Sequence, residues 1–146
     1  MEEKDKLTEI SLDNGRVTII LHSGSYDRAC NALWIAISAL ASRMEAHILL
    51  TYEGLKRFTK EQINDLGDET PAQIQPDIKF GLEAGIIQPL DELIETAKDM
   101  GLNLYACPNA LATLKIPFGE LVGVDEAMGL VGFLALSRTA NVNLYI

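Results

Sequence analysis

Blocks of apolar residues recur along the chain, and their periodicity predicts strands that alternate with helices. Residues 16–22 form an almost continuous run of β-branched and aliphatic side chains, which is typical of a strand buried on both faces of a parallel sheet. Further strands are predicted at 45–52, 102–106, 121–124 and 141–146. Apolar stripes at helical spacing predict helices at 26–43, 53–58, 89–100, 108–114 and 125–139.

Residues with known end preferences support several of these helix boundaries. Pro89 suits the first position of a helix, and Gly101 suits the position just past its end. Ser23 or Ser25 is expected to cap the helix at 26–43, and Asp125 is expected to cap the last helix.

The alternation of strands and helices predicts an α/β fold. We expect a three-layer α/β/α sandwich with a mostly parallel sheet of about five strands and helices on both faces. Residues 1–14 are polar and predict a flexible N-terminal arm, whereas 15–146 are expected to form a single domain. Within that domain the polar stretch 59–76 predicts a loop or lid as the least ordered part, and 77–85 are compatible with one or two helical turns.

The helix predicted at 26–43 has an unusual pattern. Its middle, residues 32–37, is apolar nearly all round. A helix of this kind is buried on more than its sheet-facing side, so it is either a deep core helix or part of a subunit interface.

Composition and charge argue against a nucleic-acid-binding, membrane-spanning or secreted protein. The net charge of −9 argues against nucleic acid or an anionic membrane as the main partner, because both bind through dense positive charge. The basic cluster of Lys56, Arg57 and Lys60 is interpreted as a solvated helix face. The charged first residues do not resemble a secretory signal, and the apolar run 29–41 is too short to span a bilayer comfortably. With two cysteines, the chain is expected to be a soluble, cytoplasmic protein without a disulfide framework.

Cys107 is the main candidate for chemistry. It stands between the strand at 102–106 and the helix at 108–114, on the edge where parallel sheets bind their ligands. The N–H groups and dipole of a helix start stabilise an anion, and the thiolate is the reactive form of cysteine. The alternative interpretation is a small packed side chain, since free cysteine is among the most buried residue types.

The other candidates give weaker signals. Cys30 lies within an apolar helical pattern and is interpreted as a packed core thiol, with a resolving role as a remote alternative. His22 ends the first strand and is able to polarise a thiol or sulfide, although a lone histidine is more often structural. The histidines and cysteines lack metal-ligand spacing, and no C-x-x-C pair or phosphate-binding loop is present. The sequence therefore indicates no metal and no cofactor.

Several segments together resemble the DsrE/DsrF/DsrH-like family of small cytoplasmic sulfur-relay proteins. They comprise a Ser-Gly step after the first strand, Ala-Leu in the first helix, Ile-Leu-Leu-Thr-Tyr-Glu-Gly-Leu at 48–55, Gly-Leu-Asn-Leu-Tyr-Ala-Cys at 101–107, Leu-Lys-Ile-Pro at 114–117, Gly-Val at 123–124 and Phe-Leu at 133–134. The resemblance covers nearly the whole chain from Val17 onward. Lys115 stands where the family has glycine, and 59–88 match no part of the pattern.

The resemblance implies a function for Cys107. Members carry sulfur as a persulfide on the matching cysteine and pass it from a donor protein to an acceptor protein, an activity that is sulfurtransferase-like at most. Members are often homo-oligomers, commonly trimers or hexamers. The loops on the same edge supply candidate binding residues that would orient the sulfur anion, namely Ser23, Gly24, Tyr52, Pro108 and Asn109.

Two other functions stay open at the level of sequence. Some relatives lack the cysteine and act as structural subunits, so a non-catalytic assembly or binding subunit is one alternative. A thiol oxidoreductase that pairs Cys107 with Cys30 is the other. The identities of the sulfur donor, the acceptor and the pathway do not follow from the sequence.

Overall fold

The computed structural model describes residues 15–146, and the arm predicted at 1–14 lies outside the described residues. Its five strands are β1 (Arg16–Leu21), β2 (Glu45–Leu50), β3 (Asn103–Ala106), β4 (Glu126–Ala127) and β5 (Val142–Tyr145). Its six α-helices are α1 (Tyr26–Ala41), α2 (Glu53–Arg57), α3 (Gln75–Glu83), α4 (Leu90–Asp99), α5 (Pro108–Leu114) and α6 (Leu130–Arg138), with one 3₁₀ turn at Phe118–Glu120.

The described strands form one parallel sheet in the order β4-β3-β2-β1-β5. The predicted α/β sandwich is therefore confirmed, and the sheet is parallel throughout. The chain adds strands outward from β1 to β4 and then returns to place β5 on the other side of β1. The direction of the strand order thus reverses between β1 and β5.

The two faces of the sheet differ in chemistry. Val17, Ile19 and Leu21 of β1 are buried in an apolar core, and α1 packs on β1, β2 and α4. The alternating positions of the sheet are more polar: His47 Nδ1 lies 2.8 Å from the Tyr105 hydroxyl, and both rings are buried. The short helix α6 covers this second face and packs Phe133 against the edge of Tyr105.

Helix α1 has one buried face rather than a fully buried circumference. Its buried side chains share the stripe that faces the sheet and α4, namely Tyr26, Ala29, Cys30, Ala32, Leu33, Ala36 and Ala39. Trp34 points outward and is 42% exposed. Of the two interpretations of the apolar pattern, the core helix accounts for the inner face of α1.

The segment between α2 and α3 is a loop, as predicted, but it is packed rather than loose. Its Ile63, Leu66 and Thr70 side chains are buried. The helical turns expected within 77–85 belong to helix α3, which runs from Gln75 to Glu83. We refer to residues 59–74 as the strap, because they fold back over the first turn of α1.

Arg57 holds the strap in place, so the interpretation of this residue as part of a solvated basic face is wrong. Its guanidinium is buried and donates to four main-chain carbonyls, including Gly24 O at 2.8 Å and Leu66 O at 3.0 Å. It also lies 5.6 Å from the ring centroid of Tyr26. A buried charge is tolerated here because each of the three guanidinium nitrogens finds at least one acceptor.

The predicted strand at 121–124 is wrong, and the true β4 begins five residues later. Leu121 instead forms an isolated bridge with Thr59, and Gly123 has a φ of +72°, which interrupts an extended chain. Asp125 fixes the start of β4: its carboxylate accepts the Leu104 N–H at 2.9 Å and pairs with Lys98.

The last helix therefore also begins later than predicted. Asp125 is engaged with β3 and does not cap it, and Gly129 occupies the position before Leu130, the first residue of α6. The tertiary contacts of one aspartate shift both boundaries, which a local capping signal cannot reveal.

Candidate functional site

Cys107 lies at the junction between β3 and α5. Its N–H donates to Leu50 O on the neighbouring strand at 3.0 Å, which continues the parallel ladder. Its carbonyl accepts the Leu111 N–H at 3.0 Å, which begins the helix, so Cys107 occupies the N-cap position of α5, without a capping bond from its side chain. These two bonds fix the backbone of the cysteine at the carboxyl edge of the sheet.

The Cys107 thiol is buried although exposed residues follow it directly in the chain. The residue is buried, with 4% of its surface exposed. Pro108 and Asn109 follow it and are exposed. Pro108 has no N–H, so the Asn109 and Ala110 N–H groups are the first-turn donors that α5 leaves free of intrahelical acceptors.

Tyr52 occupies a sharp turn at the end of the neighbouring strand. Its dihedral angles are φ 46° and ψ −118°, and the Gly54 N–H bonds to Thr51 O at 3.0 Å. This combination corresponds to the first central position of a type II′ turn, where glycine is strongly preferred. Gly54 is required for a different reason: a Cβ atom there would collide with the carbonyl of Leu21.

His22 and Tyr145 extend the same edge. The ring centroids of His22 and Tyr52 are 5.8 Å apart, and those of His22 and Tyr145 are 6.0 Å apart with the planes nearly parallel. All three side chains are exposed. The structure therefore places three aromatic rings next to one another at the ends of β2, β1 and β5.

The serines of the Ser-Gly-Ser turn after β1 do not cap α1 with their side chains, contrary to the prediction. Ser25 stands at the cap position of α1 but forms no capping bond with its side chain, and the Ser23 hydroxyl accepts the Ser25 N–H instead. The Tyr26 N–H of the first turn bonds to the Thr70 hydroxyl at 2.9 Å. The strap thus supplies the capping oxygen from a distance of 44 positions along the chain.

Gly24 is covered by a carboxylate from the strap. A Cβ atom at this position would collide with Oε2 of Glu69 and would lie 2.9 Å from the carbonyl of Glu53. Burial raises the pKa of Glu69, and the neighbouring Glu53 carboxylate raises it further. The space beside Gly24 is therefore already occupied by a side chain of the protein itself.

Cys30 is a packed thiol. It is 2% exposed and lies in the second turn of α1. Burial, with a further contribution from Asp27 one turn earlier, raises its pKa to about 12. Because the thiolate is the nucleophile, Cys30 is a poor attacking group at neutral pH.

The structure brings Cys107, Tyr52, Pro108 and Asn109 to one edge of the sheet. Ser23 and Gly24 lie on the same edge, in the turn after β1. Sequence reasoning missed Tyr145 and the strap contacts of Glu69. Tyr145 carries a usable signal, since it ends the last predicted strand, whereas nothing local in the sequence marks Glu69.

Two further findings concern metals and membranes. Among residues 15–146 there is no group of three or more histidine, cysteine, aspartate or glutamate side chains arranged to hold a metal ion. No helix in the same range is both long and apolar enough to cross a membrane.

Comparisons with known proteins show what this chain is similar to. It is 29% identical to the uncharacterized protein YrkE of Bacillus subtilis over 154 aligned positions, covering 90% of this chain and 96% of YrkE. No protein-family model matches the chain.

Three solved structures share the fold. The ychN protein from E. coli superposes with a TM-score of 0.61 at 14% identity, covering 91% of this chain and 99% of ychN. A protein of unknown function from Methanobacterium thermoautotrophicum gives 0.56 at 17%, with 91% and 98% covered. A conserved protein of unknown function from Bacteroides thetaiotaomicron gives 0.58 at 14%, with 90% and 95% covered. These likenesses establish a fold shared along nearly the whole chain.

Proposed function

We propose that the protein carries sulfur as a persulfide on Cys107 and relays it from a donor to an acceptor thiol. The observation that carries this proposal is the position of Cys107, which is a free thiol at a strand-to-helix junction on the carboxyl edge of a parallel sheet. The resemblance of the sequence to the DsrE/DsrF/DsrH-like family supports the same function.

The chemistry needs few groups besides the thiol. The Cys107 thiolate attacks the terminal sulfur of a donor persulfide, the S–S bond of the donor breaks, and the donor leaves as a thiolate. The product is a Cys107 persulfide, and no net oxidation has occurred. An acceptor thiolate then attacks the outer sulfur by the same displacement and regenerates the Cys107 thiolate.

The start of α5 is suited to the anionic forms of this cycle. A persulfide that has lost its proton places its charge on the outer sulfur, beyond the buried Cys107 thiol. The Asn109 and Ala110 N–H groups are the donors available at the helix start. Because α5 has only seven residues, we expect these local N–H groups to contribute more than the helix dipole.

Assembly into a homo-oligomer, a trimer or hexamer as in the resembling family, is part of the proposal. The apolar side chains that support it are on α6 rather than α1: Leu130, Val131 and Leu134 are exposed, Val131 to 88%. Contiguous exposed apolar surface of this kind is typical of protein interfaces. Sedimentation of the wild type and of Val131→Glu tests this part, since a wild-type monomer would contradict it.

The burial of Cys107 favours the second candidate function, a binding or assembly subunit without sulfur chemistry. A packed thiol with 4% exposure does not need to react. The raised pKa of Cys30 argues against the third candidate, a thiol oxidoreductase, because Cys30 is a poor partner for disulfide exchange.

Mass spectrometry separates these functions. The reduced protein is incubated with a small persulfide, such as cysteine persulfide, and the intact and peptide masses are measured. We expect the addition of one sulfur atom to the peptide that contains Cys107, and no addition in Cys107→Ser. Cys30→Ala is the matched control and should load as the wild type does.

The second half of the relay requires its own measurement. Loaded protein should lose the added sulfur to an acceptor thiol and recover its original mass. Failure of the folded protein to take sulfur from cysteine persulfide or from inorganic polysulfide would favour the binding subunit. A disulfide between Cys30 and Cys107 after treatment with peroxide would favour the oxidoreductase.

A further inference from the structure

Three exposed aromatic rings continue the carboxyl edge of the sheet beside the strand that carries Cys107. Tyr52 follows β2, His22 follows β1 and Tyr145 ends β5. Because the strand order is β3-β2-β1-β5, the rings follow one another outward from Cys107. We refer to His22, Tyr52 and Tyr145 as the aromatic row.

The topology of the sheet makes one part of this row a preferred binding position. In parallel sheets, ligands bind outside the carboxyl ends of the strands at the point where the strand order reverses. That point lies between β1 and β5, where His22 and Tyr145 stack with an interplanar angle of 23°. Two to three strand spacings, about 10 to 14 Å, separate the ends of β1 and β5 from the end of β3, so an extended molecule can reach from this position to Cys107.

Tyr52 connects the binding position to the cysteine. It adopts a backbone conformation that glycine takes without strain. The residue remains 41% exposed. The tyrosine ring is therefore partly exposed at the edge, and its backbone conformation carries a cost for any residue other than glycine.

We infer that the aromatic row binds an aromatic ring carried by the molecule that exchanges sulfur with Cys107. This inference rests on the proposed sulfur relay and specifies its substrate class. Tyrosine and histidine faces stack with planar rings in offset geometry. Glu53, which follows Tyr52, is paired with Lys56 at 3.1 Å and neighbours Glu69, so the charge beside the row disfavours an anionic ring.

Direct binding tests the row without any sulfur chemistry. The unmodified protein is titrated with indole and, separately, with cyclohexanol as a saturated control, and chemical shifts are followed by NMR. We expect indole to shift the signals of His22, Tyr52 and Tyr145 and cyclohexanol to leave them in place. Equal effects of the two compounds, or no effect of either, would overturn the inference even if Cys107 loads with sulfur.

Sulfur exchange tests the substrate class. Protein loaded with persulfide is treated with benzyl thiol or with cyclohexylmethanethiol, and the loss of the added sulfur is timed. Stacking predicts that benzyl thiol reacts about 2- to 12-fold faster than its saturated counterpart, after correction for their intrinsic reactivities. The preference should disappear in Tyr52→Gly, which removes the ring next in order to Cys107 and relieves the backbone.

A matched variant controls for general effects of surface aromatic residues. Phe80 on α3 is 65% exposed and lies outside the aromatic row, so Phe80→Ala should retain the preference for benzyl thiol. If Phe80→Ala loses the preference to the same extent, the row is not the binding site. If Cys107 never loads but indole still binds at the row, the proposed function fails and the binding site stands.

Discussion

Cys30 and Cys107 are buried to nearly the same extent, with 2% and 4% of their surfaces exposed, yet their backbones differ. Cys30 lies inside α1, where its neighbours are core side chains and the carboxylate of Asp27. Cys107 stands at the N-cap position of α5, where the chain leaves the sheet and the first-turn N–H groups have no intrahelical acceptors. Burial alone therefore does not distinguish a packed thiol from a working one.

The two thiols differ in whether backbone N–H groups near the sulfur are free to bond to an anion. Inside a helix every nearby N–H is already bonded to a carbonyl, so nothing compensates a thiolate for its lost hydration. At a helix start the N–H groups have no intrahelical partner and can bond to an anion. This contrast predicts an inert Cys30 and an edge around Cys107 that is rigid but chemically available.

The largest expected effect concerns Cys30 at alkaline pH. Because the fold favours the neutral thiol, its stabilising contribution is complete below the unfolded pKa of 9.0 and is lost as the pH rises toward the folded pKa of about 12. The total loss in the free energy of unfolding is about 4 kcal/mol, of which about 2 kcal/mol is reached near pH 10.5. Urea unfolding at increasing pH measures it.

Two variants isolate the contribution of Cys30. Cys30→Ala should flatten the alkaline decline, whereas Cys107→Ala should leave the Cys30 contribution in place. Tyr26 and Tyr105 also have raised pKa values, chiefly through burial, so each variant is compared with the wild type over the same pH range. An equal decline in wild type and Cys30→Ala would contradict the difference drawn between the two thiols.

Arg57 should have the next largest effect, since it ties the strap to the turn after β1. Arg57→Met leaves four carbonyls, two of them in buried hydrogen bonds and two in partly buried ones, without their donor and should lower the free energy of unfolding by about 3 kcal/mol. The neighbouring Lys56→Met removes only a surface pair with Glu53 and should cost about 0.5 kcal/mol. Similar losses for the two variants in urea unfolding would show that the strap is not held by Arg57.

Arg57 also shows where sequence reasoning stops. The strands β1 to β3 and the helix α4 are marked by local periodicity, because each has a continuous buried stripe or run, and they were predictable. The burial of Arg57 depends on carbonyls of the strap, up to nine positions further along the chain, and on Gly24, which lies 33 positions earlier. No local pattern carries that information.

The candidate site also contains features that local periodicity predicts and features that depend on tertiary contacts. The carboxyl edge and Cys107 follow from the alternation of strands and helices, since all parallel strands end at one edge. The stacking of His22 on Tyr145 requires knowledge that β5 lies beside β1, which periodicity does not supply. Likewise, β4 and α6 were misplaced because Asp125 bonds to Leu104 instead of capping a helix.

Gly54 tests the rigidity of the edge beside Cys107. A Cβ atom in Gly54→Ala would collide with the main-chain carbonyl of Leu21, and the turn after β2 would have to move at a cost of about 2 kcal/mol. Gly119→Ala is the control, because a Cβ atom there has no atom within 4 Å, and it should change stability by less than about 0.5 kcal/mol. A tolerated Gly54→Ala would mean that the edge adapts easily.

The smallest expected effect is at Tyr52, where two contributions oppose each other. Tyr52→Gly relieves a backbone strain of about 1 to 3 kcal/mol and loses the burial of about half a ring, worth about 2 kcal/mol. The net change in the free energy of unfolding should therefore stay within about 1 kcal/mol.

Tyr52→Ala separates the two contributions, because it loses the ring but keeps a side chain in the strained conformation. It should be less stable than Tyr52→Gly by about 1 to 3 kcal/mol in urea unfolding. Equal stability of the two variants would show that the turn carries no strain. The expected difference would instead show that the turn after β2 stores strain that only glycine relieves, so tyrosine occupies this position at a cost in backbone energy.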